Sequence, residues 1–280
     1  MSEVILDALV DTLKTIPFLF IAYLLLEFLE HRASERLTES LSKAGPWGPI
    51  GGAVLGLVPQ CGFSAAAANF YSGRLITAGT LIAVFLSTSD EAVPILLSHP
   101  AALPVLIRLL LIKLLAAVFF GLCTDFALRR FTRTQQKPDL HSLCQHCGCE
   151  KNGIFIAALR HTFTIALFLL AVNLTLGIGI SLIGEGNISR FLLSGHRLQP
   201  LLAAVIGLIP NCASSVILTE LYLSGALSFG SAVAGLCMGA GVGLAVLFRT
   251  NKNLRENLCL TGALFLFSLV TGMACDLLLP

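Results

Sequence analysis

Two apolar segments of this chain each carry a cysteine two residues after a proline, and one segment is a near copy of the other. The stretch Ala53–Cys61 (AVLGLVPQC) returns as Ala204–Cys212 (AVIGLIPNC), with six of the nine residues identical. Chance matches among aliphatic residues do not explain why glycine, proline and cysteine recur in register beside a side-chain amide. A cysteine thiolate is a ligand for soft metals and metalloids. The repeat therefore predicts two matched thiol sites in one protein.

A second group of metal-ligating residues lies between the two copies. Its candidate ligands are His141, Cys144, His146, Cys147 and Cys149. A Cys-x-x-Cys pair with nearby histidines has the spacing of zinc sites. No second pair follows at zinc-finger distance, so we interpret this stretch as a short tract that captures or senses a zinc-like ion. The alternative is a reduced linker whose ligands are incidental. No other cofactor is expected.

The composition places most of the chain inside a membrane. The sequence is 56% hydrophobic and only 12% charged, whereas soluble domains carry about 25% charged residues. Apolar stretches long enough to span a bilayer, about 20 residues each, lie near 4–28, 46–71, 75–97, 101–123, 153–183, 198–223, 226–248 and 257–279. Glu3 and Asp7 stand where a signal peptide would be basic, so we expect the first segment to stay as an anchor. The lipid bilayer is the predicted partner, and the net charge of +2 gives no indication of nucleic-acid binding.

The internal repeat extends beyond its strongest block. Ala8–Thr12 aligns with Ala158–Thr162, and Ser72-Gly73 aligns with Ser224-Gly225 after a one-residue insertion. We predict a first transmembrane repeat over 1–124, a cytoplasmic Cys/His-rich linker over 125–152 and a second transmembrane repeat over 153–280. Each repeat contains four apolar segments, the second of which is broken at its Pro-x-Cys sequence.

The loop charges decide between two topologies. If all eight segments cross and the N-terminus is inside, six loop Lys and Arg residues are cytoplasmic and eight are outside, against the positive-inside rule. If each Pro-x-Cys segment enters and returns, twelve are inside and only Arg190 and Arg197 are outside. An odd number of crossings then inverts one repeat relative to the other. The predicted fold is therefore all-α, with two inverted repeats that each contain three crossings and one re-entrant helical hairpin.

The two breaks are the expected substrate site. Non-helical backbone at this depth is tolerated only where it is buried in protein or lines a cavity, and carriers bind substrates at paired breaks. We expect Pro59 and Pro210 to open the second half-helices, whose N-termini would favour thiolates at Cys61 and Cys212. Alternatively, both cysteines are small packing residues. The other predicted substrate-binding residues are Gln60, Asn211, Ser64, Ser214 and Ser215.

Acidic and titratable residues inside the apolar segments are candidates for ion coupling. Ser87–Glu91 interrupts the third segment, and its expected partner in the second repeat is Gly239–Gly243. Intramembrane carboxylates are costly and usually functional, so Asp90 and Glu91 are candidates for a cation site or a coupling proton. Solvation near the outer surface is the alternative. Asp11 and His161 occupy matching positions, where a histidine suits either proton transfer or helix packing.

These motifs resemble those of a known family. The resemblance of the chain to this family rests on Gly56–Ser64, Ser87–Glu91, the Cys/His tract before Ala158–Thr162, Gly207–Ser215 and Gly239–Gly243. The family comprises heavy-metal exporters, including proteins named arsenic efflux proteins and manganese transporters, and is related to the organoarsenical permeases. The resemblance implies a multi-pass inner-membrane permease, not an enzyme, that exports a toxic metal or metalloid. The organoarsenical permeases carry a denser cysteine motif than the Pro-Gln-Cys-Gly of this chain.

Three functions remain open from the sequence. The leading interpretation is a secondary carrier that exports a thiophilic, arsenic-type species through a central site at the two breaks. A divalent-cation exporter of the manganese type would instead use Asp90, Glu91 and Asn211. Outside transport, the chain would be a membrane-embedded metal sensor or redox subunit working through the loop cysteines. Because no nucleotide-binding loop is present, energy would come from an ion gradient, with protons as candidates, or from a partner. The sequence leaves a homo-oligomer open.

The Cys/His tract gives the first testable prediction. Replacing Cys144, Cys147 and Cys149 together with serine should lower the bound metal from about one zinc-like ion per chain, measured by elemental analysis of purified protein. Substrate flux should remain substantial, because we assign transport to the membrane segments. Complete loss of flux would contradict that assignment.

Overall fold

All of the described secondary structure is helical, and the chain is an all-α, multi-pass membrane protein. The computed structural model describes residues 6, 9–10, 12–13, 16–17, 20–21, 23–24, 47–89, 91–131, 154–183 and 198–278. Its helices are α1 (Gly48–Gly56), α2 (Cys61–Ser72), α3 (Ala78–Ser87), α4 (Ala92–Ser98), α5 (Leu103–Phe131), α6 (Ile154–Ile183), α7 (Gln199–Gly207), α8 (Cys212–Leu223), α9 (Phe229–Met238), α10 (Val242–Thr250) and α11 (Leu254–Leu278), with a short 3-10 turn at Pro100–Ala102. Several predicted site residues lie outside the described residues: Asp11, Asp90, His141, Cys144, His146, Cys147 and Cys149.

The fold contains two kinds of membrane span: broken spans in the interior and continuous helices around them. Within the described residues, four stretches are long and apolar enough to cross a bilayer: Ala78–Ser98, Leu103–Leu128, Phe229–Thr250 and Leu254–Leu278. The two spans that contain a break, α3–α4 and α9–α10, are 76% and 89% buried, whereas α5 and α11 are 28% and 33% buried. Leu111, Leu115 and Phe119 on α5 are exposed apolar side chains, as expected of a lipid-facing surface. The continuous helices therefore shield the broken ones from lipid.

The repeat runs through the structure at a constant offset of 151 residues, the separation of Cys61 and Cys212. The predicted one-residue insertion after α2 is wrong. Helix α2 ends at Ser72 and α8 at Leu223, and each is followed by a left-handed residue, Arg74 (φ 59°) or Gly225 (φ 75°). The Ser-Gly match in the sequence was misleading, because the first repeat places an arginine at the turn position where the second has glycine.

The same one-residue error affects the predicted partner of Ser87–Glu91. Helix α3 ends at Ser87 and α9 ends at Met238, which is the same offset. The counterpart of the polar break is therefore Met238–Val242, not Gly239–Gly243. Gly241, in the middle of this segment, has a φ of 53°, a conformation that glycine adopts without a steric penalty.

Close glycine contacts hold each broken span against its continuous neighbour. A Cβ added to Gly79 on α3 would run into the carbonyl oxygen of Gly121 on α5, and one on Gly230 of α9 would run into that of Gly272 on α11. Small residues allow membrane helices to approach at backbone distance, where van der Waals contacts drive association. Each repeat therefore uses the same glycine pair to pack its core span.

Different turns of the two repeats meet at one end of the bundle. The Ser72 and Thr250 hydroxyl oxygens are 2.7 Å apart, and Arg74 Nη2 donates to Glu256 Oε2 at 2.8 Å. Tyr71 also donates to Glu256. The hydrogen bonds between Arg74 and Glu256 raise the pKa of the Arg74 guanidinium, which stays charged. The α2–α3 turn of the first repeat thus lies beside the α10–α11 turn of the second.

The packing of the turns gives a topology test. His99 and Lys252 are both exposed, and the re-entrant topology puts them on opposite sides of the membrane, whereas eight crossings would put both outside. Single cysteines at these positions, in a cysteine-free background, should be labelled by an impermeant maleimide from opposite sides: His99→Cys from outside and Lys252→Cys from the cytoplasm. Labelling of both from one side would exclude the re-entrant topology.

Candidate functional site

The Pro-x-Cys sequences form the breaks between α1 and α2 and between α7 and α8. The prediction that Pro59 and Pro210 open the second half-helices is wrong. Helix α2 begins at Cys61 after the extended residue Gln60, and α8 begins at Cys212 after the extended residue Asn211, so each proline stands one residue before the helix cap. A proline ring disfavours helical backbone at the preceding residue. The prolines therefore end the first half-helices, and the cysteines begin the second.

The two cysteines meet although they are 151 residues apart. Cys61 Sγ and Cys212 Sγ are 3.4 Å from each other, and the side chains are buried, with 7% and 4% exposure. This distance is well beyond the roughly 2.05 Å of a disulfide bond, so both are present as thiols. Each is the first residue of its helix. The arrangement can therefore present two cysteine sulfurs to one soft ligand.

The other predicted polar residues hold the starts of these helices. Ser64 donates to the carbonyl oxygen of Cys61 at 2.9 Å, and Ser214 donates to that of Asn211 at 2.8 Å. The Asn211 side-chain oxygen accepts from the backbone N–H of Ala213 at 2.9 Å. Ser215 is buried. The Asn211 side chain therefore caps α8, whereas Ser64 and Ser214 donate to backbone carbonyls at the starts of their helices. The role of these residues toward a ligand stays a prediction.

The break in the α9–α10 span packs against both cysteine helices. A Cβ added to Gly243 would run into Ser64 on α2, and one added to Gly239 would lie 3.5 Å from Ser215 Oγ on α8. Both serines are in the first turn of their helix. The thiol pair and the glycine-rich break thus belong to one layer in the middle of the bundle.

Lys113 lies in the same layer and was missed by the sequence reasoning. This lysine, in the middle of α5, has 0% exposure. Its ammonium donates to the carbonyl oxygen of Leu236 at 2.7 Å and to that of Thr88. A charged residue deep in an apolar helix is in itself a signal of function, and Lys113 should have been singled out on that ground. The position 151 residues later is the buried Leu264, so the second repeat has no counterpart of this charge.

Of the four predicted ion-coupling residues, Asp11 and Asp90 lie outside the described residues. Glu91 precedes α4 as its cap residue, without a side-chain capping hydrogen bond, and is partly buried. His161 lies on α6. Among the residues that the structure describes, no group of three His, Cys, Asp or Glu side chains could hold a metal ion. Within those residues, the thiol pair is therefore the arrangement with metal-ligand chemistry.

Two aspartates that the sequence analysis did not select bind the N-terminal ends of α3 and α9, the first helices of the broken spans. Asp125 on α5 accepts from the Gly79 N–H at 2.8 Å and from the Thr77 hydroxyl at 2.6 Å. Asp276 on α11 accepts from Gly230 at 2.9 Å and from Ser228 at 3.1 Å. A carboxylate at a helix N-terminus satisfies its unpaired N–H groups and interacts favourably with its dipole. Sequence reasoning missed both because each stands near the end of an apolar segment.

Comparison with known proteins gives one match. Residues 150–279 match the model of a family described as "Putative, 10TM heavy-metal exporter", a span that covers the second repeat and a little less than half of the chain. No curated protein and no solved structure matches the chain. The second half of this chain is thus similar to a family of membrane metal exporters.

The aspartate clamps give a paired prediction on stability. Asp125→Asn should lower the melting temperature of the detergent-purified protein by about 3–12 °C, because hydrogen bonds to a charged group contribute about 1.5–3 kcal/mol. Asp276→Asn should have a smaller effect, because Asp276 is more exposed and its contact with Ser228 is longer. An unchanged melting temperature for Asp125→Asn would show that the clamp is dispensable.

Proposed function

We propose that this protein is a secondary carrier that exports a thiophilic metal or metalloid through a site containing Cys61 and Cys212. The observation that carries the proposal is the 3.4 Å contact between the two thiols. They stand at corresponding positions of two repeats, each at the tip of a half-helix, which is where carriers built from repeats bind their substrates. The match of residues 150–279 to a family of metal exporters supports the same class of function.

The spacing of the thiols favours one kind of substrate. With metal–sulfur bonds of about 2.3 Å, a linear ion between two sulfurs would hold them about 4.6 Å apart. An angular centre with bonds of that length would hold them closer, near the observed 3.4 Å. Trivalent arsenic is such an angular, thiophilic centre. We therefore prefer a trivalent arsenic species that forms one bond to each sulfur, as two of its oxygen ligands leave as water with the two thiol protons, and that keeps one group of its own.

We also propose an inverted-repeat topology, in which the two repeats have opposite orientations in the membrane. The ion pair between Arg74 and Glu256 supports it, because eight crossings would put these residues on opposite sides of the membrane. The chain would then contain six crossings and four half-helices, α1, α2, α7 and α8.

The experiment compares buried and exposed cysteines in proteoliposomes. Cys61→Ser and Cys212→Ser should each reduce flux of arsenite or methylarsenite at least about tenfold, since changes even to groups behind a metal ligand cost about 10–100-fold. Serine keeps the size and a polar atom but supplies no soft thiolate. Cys123→Ser and Cys259→Ser are the matched controls, because these cysteines are exposed on α5 and α11, and they should transport normally.

A manganese-type exporter is the alternative that this experiment tests. Hard cations such as Mn²⁺ prefer carboxylate, carbonyl and water oxygens to thiolates. Near-normal flux of thiophilic substrates in a folded Cys61→Ser/Cys212→Ser double variant would exclude the thiol mechanism. Loss of Mn²⁺ flux in Glu91→Gln or Asp90→Asn would then favour the carboxylate mechanism.

A further inference from the structure

A positive charge is fixed covalently in the middle of the membrane bundle. Lys113 lies near the centre of α5, on the inner side of a helix whose outer side is lipid-facing, and its side chain is fully buried. Its ammonium donates to two backbone carbonyls, those of Thr88 and Leu236. A charge at this depth is costly unless a specific arrangement of partners compensates for it. The position of the two acceptor carbonyls in the fold is therefore important.

Both acceptors are at the C-terminal ends of broken helices, and they come from different repeats. Thr88 is the residue that follows α3, and Leu236 is in the last turn of α9. The last carbonyls of a helix have no partner within the helix and carry the negative end of its dipole. Such half-helix ends coordinate monovalent cations in carriers with broken helices. The carbonyl pair of Thr88 and Leu236 therefore has the chemistry of a monovalent-cation site.

The cation in this site is part of the chain. The ammonium of a lysine is a compact point charge that rotates three donors to fit its acceptors, so it can replace a small metal cation between two carbonyl oxygens. The equivalent position in the second repeat is Leu264, which is buried and apolar. The charge is therefore specific to one repeat, although it contacts both.

We propose that the carbonyls of Thr88 and Leu236 form a monovalent-cation site that the Lys113 ammonium occupies permanently. The tethered amine joins the α3–α4 break of the first repeat to the end of α9 in the second. Assembly of the two broken spans is thereby independent of any dissolved cation. This inference does not depend on the identity of the exported substrate.

Removing the amine should make the thermal stability of this protein depend on dissolved cations. The test measures thermal unfolding of the purified full-length chain in chloride salts of Na⁺, K⁺, n-propylammonium and N-methylglucamine at equal ionic strength. The wild type should melt at the same temperature in all four. Lys113→Ala should melt several degrees lower in N-methylglucamine, which is too large to enter. It should recover at least half of that loss in n-propylammonium or in one of the metal salts, with a saturable concentration dependence.

Two matched variants separate a cation site from simple packing. Lys113→Met keeps the unbranched stem and removes the charge, so it should be destabilised and should not recover with any salt. Leu264→Ala opens the corresponding space in the second repeat, where no ammonium is held, and should also be insensitive to the choice of cation. Recovery of Leu264→Ala to the same extent as Lys113→Ala would show a general salt effect and overturn the proposal.

Two further outcomes would also overturn it. If Lys113→Ala melts at the wild-type temperature, or is destabilised equally in all four salts, the carbonyl pair is not a cation site. If Lys113→Ala is not recovered folded, Lys113→Gln replaces it, because glutamine keeps N–H donors without the charge. Lys113→Gln should melt several degrees lower than the wild type, and a wild-type melting temperature would show that no cation is needed there.

Discussion

The fold depends on satisfying backbone groups where helices are broken inside a membrane. Hydrocarbon offers no hydrogen bonds, so every N–H and C=O at a break needs a partner in the protein or in an aqueous cavity. Here the breaks are gathered into one buried layer, in which Asn211 caps the half-helix that begins at Cys212, and Ser64 and Ser214 donate to backbone carbonyls at the helix starts. Lys113 satisfies carbonyls where two other half-helices end. The cysteine thiols thus lie at the N-terminal ends of α2 and α8, and the Lys113 ammonium lies at the C-terminal ends of α3 and α9.

The elements around this layer follow from the same constraint. A broken helix cannot face lipid, so α5 and α11 shield the two broken spans and present apolar side chains outward. Contacts between glycines bring each pair of helices to backbone distance. At the outer ends, Asp125 and Asp276 fix the N-termini of α3 and α9. Each broken span is therefore held at its N-terminal end by a carboxylate and at its break by contacts in the central layer.

Much of this architecture was predictable from the sequence, because it depends on strong local signals. The repeated Pro-x-Cys blocks identified the breaks, and pseudo-symmetry led to a pair of cysteines at one site. The register beyond α2 was not predictable, because Arg74 takes a backbone conformation that is usual for glycine. The prolines were misassigned because the sequence does not reveal whether a proline ends one helix or begins the next. The charge of Lys113 inside an apolar helix was a signal of function, but its partners, like those of the two aspartates, are distant in sequence and no local pattern shows them.

The repeats are alike in backbone but unlike in chemistry, most clearly at the two ends of the bundle. At one end of the bundle, Arg74 and Tyr71 bind Glu256 and tie the two repeats together. The equivalent positions at the other end are Gly225, Tyr222 and Val105, which cannot form an ion pair, and an apolar pocket lies there beside Tyr222 and Val105. The contacts between the repeats are therefore ionic at one end of the bundle and apolar at the other, although the backbone of the two repeats is alike.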